Sequence, residues 1–410
     1  MSSGRITKAY VYRLYPTSPQ TDRLTEMLAA HCEMYNAALQ ERCDAYRIRR
    51  VTVKATAQMA QLTAIRRARS DQAAWSFTSQ QQTLRRLDKA FVAFFRRVKA
   101  GETPGYPRFR SARRFDSVDF RHGDGIKFDS SKSTPGHATL RVQGVGTVKV
   151  RMHRPLPDGA RLGQVTVKRQ GRRWYVVLPV EADAVRLPAT GRTIGGDLGV
   201  KHLVTLSEPV LGLTDRDGHI EHPRHLRRAA GKLADAQRQL ARKRRGSNRR
   251  RKAVARVAEL HGKVQRARLD TAHKTARALV ASADVLVFED LRTANLVRRP
   301  KPIPDPAQPG RFLPNRAAQK SGLNKSILDA GWGVLISLVQ SKAEEAARTV
   351  VLVNPAYTSR TCSGCGHVLA SLTLADREHA CSACGQVTDR DVNAAINILR
   401  AGTARLQASA

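Results

Sequence analysis

Four cysteines stand as two C-x-x-C pairs, Cys362 with Cys365 and Cys381 with Cys384, each pair followed by a glycine, Gly366 and Gly385. The glycines let the backbone turn so that both thiolates of a pair face one ion, and two such knuckles supply the ligands of a closed tetrahedral zinc ribbon. Redox dithiols or an iron–sulfur cluster are the competing uses; paired knuckles at ribbon spacing with no other cysteine nearby favour zinc. With every ligand position taken by protein sulfur, the zinc is expected to be structural, and any chemistry must lie elsewhere.

Three acids are candidates for that chemistry. Asp389-Arg390-Asp391 follows the second knuckle and opens a helix. Helical periodicity makes Asp389 the N-cap and places Asp391 on the face of Ala394, Ala395 and Ile398, which must pack inward. A carboxylate at the edge of a packing face is costly unless it is paired or binds a cation; the plainer alternative is a helix-start aspartate gaining from the macrodipole. Asp197 sits among Gly195, Gly196 and Gly199 in a segment, residues 193–206, that reads as strand, tight turn, strand. The missing side chains would let a metal and a phosphodiester approach the backbone there. Taken alone, the same segment also reads as a hairpin with a turn aspartate. Residues 285–291 form a buried strand ending in Glu289 and Asp290, and strand alternation puts these two on opposite sides, so only one can share a site with Asp197. A strand-end Asp, a strand-end Glu and a helix-start Asp are what two divalent ions roughly 3.5–4 Å apart require for phosphodiester hydrolysis, one ion activating water and the other stabilising the leaving oxygen. Strands before the first two acids and a helix holding the third suggest an RNase H-like α/β sheet.

The rest of the chain must position these residues and find their substrate. Its 72 Lys and Arg against 34 Asp and Glu leave a formal net charge of +38 over 410 residues, so a polyanion, and nucleic acid first, is the expected partner. An anionic membrane surface would call for a basic amphipathic anchor or a lipidation signal, and neither is found. No apolar run reaches the roughly 18 residues of a spanning helix, and residues 1–8 lack a signal-peptide core, so a soluble, intracellular protein without a membrane partner is expected. Six cysteines, four of them in knuckles, agree with a reducing compartment, and Cys32 and Cys43 read as buried helix residues.

In chain order, residues 9–15 read as a strand closed by Pro16, and a helix follows with Leu24, Met27, Leu28, Cys32, Tyr35 and Leu39 as its core stripe. A second helical block, residues 55–98, is expected to turn Leu84, Leu87, Phe91, Phe94 and Phe95 inward and Arg66, Arg67, Arg69, Arg85, Arg86, Arg96 and Arg97 outward toward phosphate. Residues 101–115 break it with two prolines and interleave Tyr106, Phe109 and Phe115 with Arg108, Arg110, Arg113 and Arg114, planes suited to stacking on bases while holding phosphates, or to anchoring an interdomain loop. Short strands between residues 125 and 181 predict a small antiparallel barrel or sheet, completed by the first strand. Residues 223–281 are helical and intensely basic. Arg242 to Arg245 and Arg249 to Lys252 flank a Gly246-Ser247-Asn248 break, and Val254, Val257, Leu260, Val264 and Leu269 keep a helical stripe. Such like-charge crowding makes sense if a polyanion neutralises it, and a helical pair along a duplex is expected. A Pro-rich loop at 299–314 precedes a helix from Ser321, with Leu328, Trp332, Leu335, Ile336 and Val339 packing, and a strand at 349–353 enters the cysteine region.

Several of these stretches together resemble one family. G-G-D-L-G-V-K-H-L-V-T-L-S, V-F-E-D-L, and N-P-A-Y-T-S-R-T-C-S-G-C-G through C-x-x-C-G to D-R-D-V-N-A-A-I-N-I-L are similar to the TnpB (OrfB) proteins of bacterial insertion sequences, RNA-guided endonucleases related to the small type V CRISPR effectors. Y-R-L-Y-P-T-S-P-Q and G-E-T-P-G-Y-P-R-F extend the resemblance over nearly the whole chain. It implies a multidomain α+β protein: a wedge-like β-barrel (1–18 and 115–186), a helical nucleic-acid recognition insertion (19–114), an RNase H-like RuvC domain (187–354 and 389–400, with a basic helical insertion at 213–283), a zinc ribbon (355–388) and a flexible tail (401–410). It further implies Asp197, Glu289 and Asp391 as catalytic magnesium ligands, with two ions, and Cys362, Cys365, Cys381 and Cys384 as zinc ligands. The implied partners are a guide RNA and double-stranded target DNA, bound by a monomer or a homodimer on the RNA, in the bacterial cytoplasm at the nucleoid. In such a system protein charge serves backbone binding and base pairing chooses the sequence, while the protein reads a short motif beside the target. Candidate nucleic-acid contacts are Tyr106, Arg108, Phe109 and Arg110 in the Pro-rich loop and Arg244, Arg245, Arg249 and Arg250 in the basic helices. The competing readings are a nuclease-inactive RNA-guided DNA-binding regulator, against which all three acids stand, and a transposase acting without RNA, for which no sequence-reading helix-turn-helix is evident.

Overall fold

The computed structural model describes residues 5–130, 136–373 and 376–408; the first four residues of the expected barrel segment and the last two of the expected tail lie outside them. The chain divides into two compact units, Arg5–Ala182 and a second that comprises Asp183–Ala410.

In the first unit, β1 (Arg5–Tyr15) turns Tyr10, Tyr12 and Leu14 inward, as period-2 alternation requires. A capping box at Thr17 and Gln20 starts α1 (Ser18–Arg49), on which the whole expected stripe from Leu24 to Leu39 is buried. The block that follows is not one helix. It is broken into α2 (Ala55–Ala60), α3 (Leu62–Ala68), α4 (Ser70–Ala73) and α5 (Phe77–Lys99). Leu84 and Leu87 of α5 are buried as expected, but no residue of the helix beyond Leu87 is, and Phe95 is 57% exposed. Phe91 packs partly buried against the core, as expected, and Phe91, Phe94, Phe95 and Tyr106 meet one another in edge and offset ring contacts. Two of the arginines expected to face outward are internal ties: Arg66 donates to the carbonyls of Ala73 and Trp75, and Arg86 pairs with Asp119 at 2.8 Å. The strands are β2 (Ser117–Arg121), β3 (Ile126–Asp129), β4 (His137–Val142), β5 (Gly146–Arg151), β6 (Arg161–Leu162), β7 (Gln164–Gln170) and β8 (Arg173–Asp183). Their order is β2-β7-β8-β1-β5-β4-β3 with β6 on β8, so the first strand does sit at the centre of a curled, nearly closed barrel.

The second unit is built on a five-stranded sheet of β9 (Thr193–Asp197), β10 (His202–Leu206), β11 (His219–Glu221), β12 (Val285–Glu289) and β15 (Thr349–Val353), the last label following chain order. The order is β11-β10-β9-β12-β15; the first three strands run antiparallel, and β9, β12 and β15 are parallel. Between β11 and β12 lie the basic helices α6 (His225–Ala241) and α7 (Asn248–Ser282), and the expected break separates them. Leu260 and Val264 hold their seam, whereas Val254 and Leu269 are about half exposed. After β12 come α8 (Thr293–Leu296) and, within the Pro-rich loop, a two-residue pairing of β13 (Ile303–Pro304) with β14 (Phe312–Leu313). The expected single helix from Ser321 is two, α9 (Ala317–Ala330) and α10 (Trp332–Glu345), because Gly331 takes a left-handed conformation between them. Leu328 is consequently exposed, while Trp332, Leu335 and Val339 are buried.

Alternation along β12 sorts the layers. Leu286 and Phe288 face α7 and α10, packing with Ala276, Leu279, Leu335 and Val339. Val287 faces the opposite side, where it meets Ile398 of the terminal helix. The small hairpin of β16 (Glu378–Ala380) and β17 (Val387–Asp389) leads into that helix, α11 (Arg390–Gln407). The expected tail from residue 401 is helical through Gln407, because Gly402 lets α11 lie flat on Val287. No helix among the described residues is long and apolar enough to cross a membrane.

Candidate functional site

The face that carries Val287 also carries Glu289, and the parallel register pairs Phe288 with Gly196, so Glu289 ends its strand beside Asp197. On β9, Ile194 belongs to the α7 and α10 core while Gly195 faces α11; two residues on, Asp197 points to the α11 side as well. Asp389 caps α11, accepting from the amides of Asp391 and Val392 at 2.8 and 3.2 Å, and so directs Asp391 of the first turn to the same place. Ala394, Ala395 and Ile398 are buried behind it, and the Asp391 side chain keeps 14% exposure. The structure therefore turns Asp197, Glu289 and Asp391 to one place, near enough for the other two to act on the charge of Asp197 although the three carboxylates are not all within 4.8 Å of one another, and turns Asp290 outward, where it is exposed.

The electrostatics of this cluster are those of a cation site, a set of acids opposed by the single arginine Arg390. Burial, then the carboxylates of Glu289 and Asp391, push Asp197 well above the ordinary carboxyl range, with Arg390 opposing. Burial also raises Glu289, which is 8% exposed, against the hydroxyl of Thr358, which donates to its Oε1. Oxygen donors that repel one another in a buried cleft fit a hard divalent cation. Arg390 Nε lies 3.6 Å from Asp391. Arg390, Thr358 and two asparagines of α11 were not singled out by sequence reasoning; the only signal for them is their nearness in sequence to Asp391 and to the first knuckle.

The four cysteines converge as expected. Their sulfurs all lie within 4.8 Å of one another, with Cys362 to Cys384 at 3.7 Å and Cys365 to Cys381 at 3.6 Å. A tetrahedron of sulfurs about 2.3 Å from zinc has edges of about 3.8 Å, so the set fits the ion. Backbone N–H groups of Cys384 and Ala383 hold the Cys381 thiol down to about 6, which favours the thiolate a metal needs. Gly366 and Gly385 both adopt positive φ, as the turns of the knuckles require. One further group, Asp215, Asp217 and His219, has ligand atoms this close among the described residues, and Asp215 there caps its own loop by accepting from the amides of Asp217 and His219.

The candidate nucleic-acid residues are on the surface but not all free. Tyr106 and Phe109 are about half exposed and Arg108 is exposed, while the backbone of Arg110 is pinned on both sides by the amide of Asn36 at 2.8 Å. Arg244, Arg245 and Arg249 are exposed. Arg250 instead donates to the carbonyls of Leu240 and Lys243 and closes the turn between α6 and α7.

Over 98% of its length the chain is 33% identical to a Streptomyces pristinaespiralis protein named "Putative RNA-guided DNA endonuclease", covering 90% of that protein. The chain belongs to the TnpB (OrfB) family. A second TnpB-family relative, "Putative RNA-guided DNA endonuclease InsQ" of Escherichia coli K12, is 32% identical over 80% of this chain and 74% of its own length. Three family models match: "Probable transposase" of the OrfB type at residues 175–299, "Cas12f1-like, TNB domain" at 332–398, and "Helix-turn-helix domain" at 1–50. In this TnpB-family chain the described part of that last stretch is β1 and one unbroken helix, α1. The fold is also that of the protein in a structure titled "Cryo-EM structure of the Cas12f1-sgRNA-target DNA complex", at TM-score 0.59 and 12% identity, covering 96% of this chain and 99% of that one.

Proposed function

We propose that this chain is an RNA-guided DNA endonuclease of a transposable element, with one RuvC-type centre made by Asp197, Glu289 and Asp391 on an RNase H-like sheet. The observation that carries the reading is the meeting of the three acids on one face, two at the ends of adjacent parallel strands and one in the first turn of the helix packed over them. Magnesium held by these oxygens supplies Lewis acidity toward a phosphodiester. The chain's own residues set up the rest. Gly195 and Gly196 keep bulk away from the strand below the acids. Arg390 places positive charge next to Asp391, where a scissile phosphate would add negative charge. The relatives' names support guide RNA and target DNA as partners, and the +38 charge supports backbone binding. Within this reading the barrel (1–18 and 115–186) and the helices (19–114) serve guide and target recognition, the segments 187–354 and 389–400 form the nuclease domain, and the ribbon at 355–388 is held by structural zinc. A nuclease-inactive regulator has no use for three converging acids.

The test is to sequence the RNA that co-purifies with the protein, then offer matched double-stranded DNA with magnesium. Cleavage by the wild type, and RNA-dependent binding without cleavage by Asp197→Ala and Glu289→Ala, are expected. Normal cutting by either variant would move the centre elsewhere, and absence of any defined RNA would return the transposase reading.

A further inference from the structure

The chain between β15 and the first zinc knuckle does more than connect them. Val353, the last residue of β15, pairs with Glu289. Beyond it the chain makes a tight turn: Asn354 Oδ1 accepts from the Ala356 amide, Tyr357 takes a left-handed φ of 65°, and the Tyr357 carbonyl accepts from the amides of Arg360 and Thr361. That turn lays the Thr358 hydroxyl on Oε1 of Glu289 at 2.5 Å.

The turn is itself held by α11. Asn397 donates to the carbonyls of Thr358 and Thr361 at 2.9 and 2.6 Å. One helical turn earlier, the fully buried Asn393 donates to the Thr361 carbonyl at 2.8 Å and accepts from the Ser363 amide at 2.7 Å. Ser363 lies inside the Cys362–Cys365 knuckle. These carbonyls belong to no helix or strand, so the two side-chain amides satisfy backbone groups that burial would otherwise leave unpaired. An unbroken set of hydrogen bonds thus runs from the knuckle to Glu289 and shares its helix with Asp391.

We propose that Thr358 is a positioning residue for Glu289, fixed by Asn397 and Asn393 of α11, so that the zinc knuckle sets the orientation of the second acid. The proposal rests on the reading of Glu289 as a cation ligand. A carboxylate free to rotate presents either oxygen; with Oε1 held by a hydroxyl, Oε2 is directed at the cleft, in the way outer partners orient metal ligands elsewhere.

Thr358→Val removes the hydroxyl at constant shape, and Thr358→Ser keeps it. Three quantities distinguish them: zinc per chain, manganese affinity of the purified protein by EPR titration, and the magnesium dependence of cleavage by the guide complex. For Thr358→Val we expect unchanged zinc and unchanged RNA-dependent target binding, with manganese affinity and half-saturating magnesium both worsened about 10–100-fold. Thr358→Ser should restore both to within about threefold, an order below that loss. Wild-type metal dependence in Thr358→Val would overturn the proposal, as would equal damage in Thr358→Ser, which would assign the effect to the lost packing of a methyl group. Glu289→Gln run alongside separates the two levels: if it binds manganese and cleaves normally, the acid centre itself is misassigned; if it fails while Thr358→Val is normal, only the positioning role falls.

Discussion

Gly195 of β9 lies directly under the Ala395 carbonyl of α11: a Cβ on Gly195 would sit 2.3 Å from that oxygen and 2.7 Å from the Leu399 amide nitrogen. The same contact keeps α11, and Asp391 with it, close to Asp197.

Gly195→Ala should therefore cost about 1–3 kcal/mol in unfolding free energy, the range for overpacking, and reduce cleavage beyond what the lost stability explains. Gly231, inside α6, has nothing within 4 Å of its ideal Cβ. Gly231→Ala should instead stabilise by about 0.5–1 kcal/mol, because the helix loses a flexible residue. Denaturant unfolding of both variants checks the pair, and a neutral Gly195→Ala would mean that α11 does not press on the sheet.

Cys381→Ser should bring zinc from one equivalent per chain to none, because a closed site tolerates no missing thiolate. The loss should propagate along the hydrogen bonds of Asn393 and Asn397. Hydrogen exchange is the measurement: amides of residues 356–366 and of the first turns of α11 should lose protection together. Protection retained in a zinc-free chain would show that the ribbon stands without its metal.

His31 sits 1% exposed between α1 and α5, its Nδ1 2.7 Å from the Met27 carbonyl and its Nε2 2.8 Å from the Ser79 hydroxyl. Burial, the largest influence, lowers its pKa to about 4. Between about 6.5 and about 4 the unfolded chain takes up a proton that the folded chain refuses, so stability is complete above this window and falls as pH drops through it. From pH 7 to pH 5 the first unit should lose about 2 kcal/mol through this residue. Unfolding of wild type and His31→Gln at the two pH values tests it, and an equal acid loss in both would clear His31 of the effect.

Arg245 and Arg249 flank the α6–α7 turn and are exposed, whereas Arg250 is spent on closing it. Arg245→Gln and Arg249→Gln should each reduce the slope of log affinity for RNA against log salt by about one, without changing stability. Arg250→Gln should lower stability instead. An unaltered slope in both surface variants would remove this helical pair from the polyanion interface.

Local chemistry was readable without coordinates. The knuckle cysteines and their glycines, the Asp389 cap, the α1 stripe and the strand ends at Asp197 and Glu289 depend on neighbours a few residues away, and each stands where periodicity and spacing put it. The aromatic residues of α5 did not all follow their pattern. Hydrophobic character says that Phe95 would gain from burial, but burial needs an opposing surface: Phe91 finds the core and Phe94 finds Tyr106, whereas Phe95 stays 57% exposed. Gly331 was a helix interruption in the sequence all along, yet a glycine can be tolerated in a helix or end it, and that choice follows from where α9 and α10 must point.

The amino-acid order alone determined which acids could serve a cation, which cysteines could share one, and how positive the whole must be. Only tertiary packing decided that Gly196 pairs with Phe288, ninety-two positions along the chain, and that Thr358 reaches Glu289 while Asn397 holds it. The physical reason is that helix periods, caps and knuckles are settled within a turn or two of chain, whereas strand register and side-chain reach across layers depend on how the whole sheet and its helices pack at once.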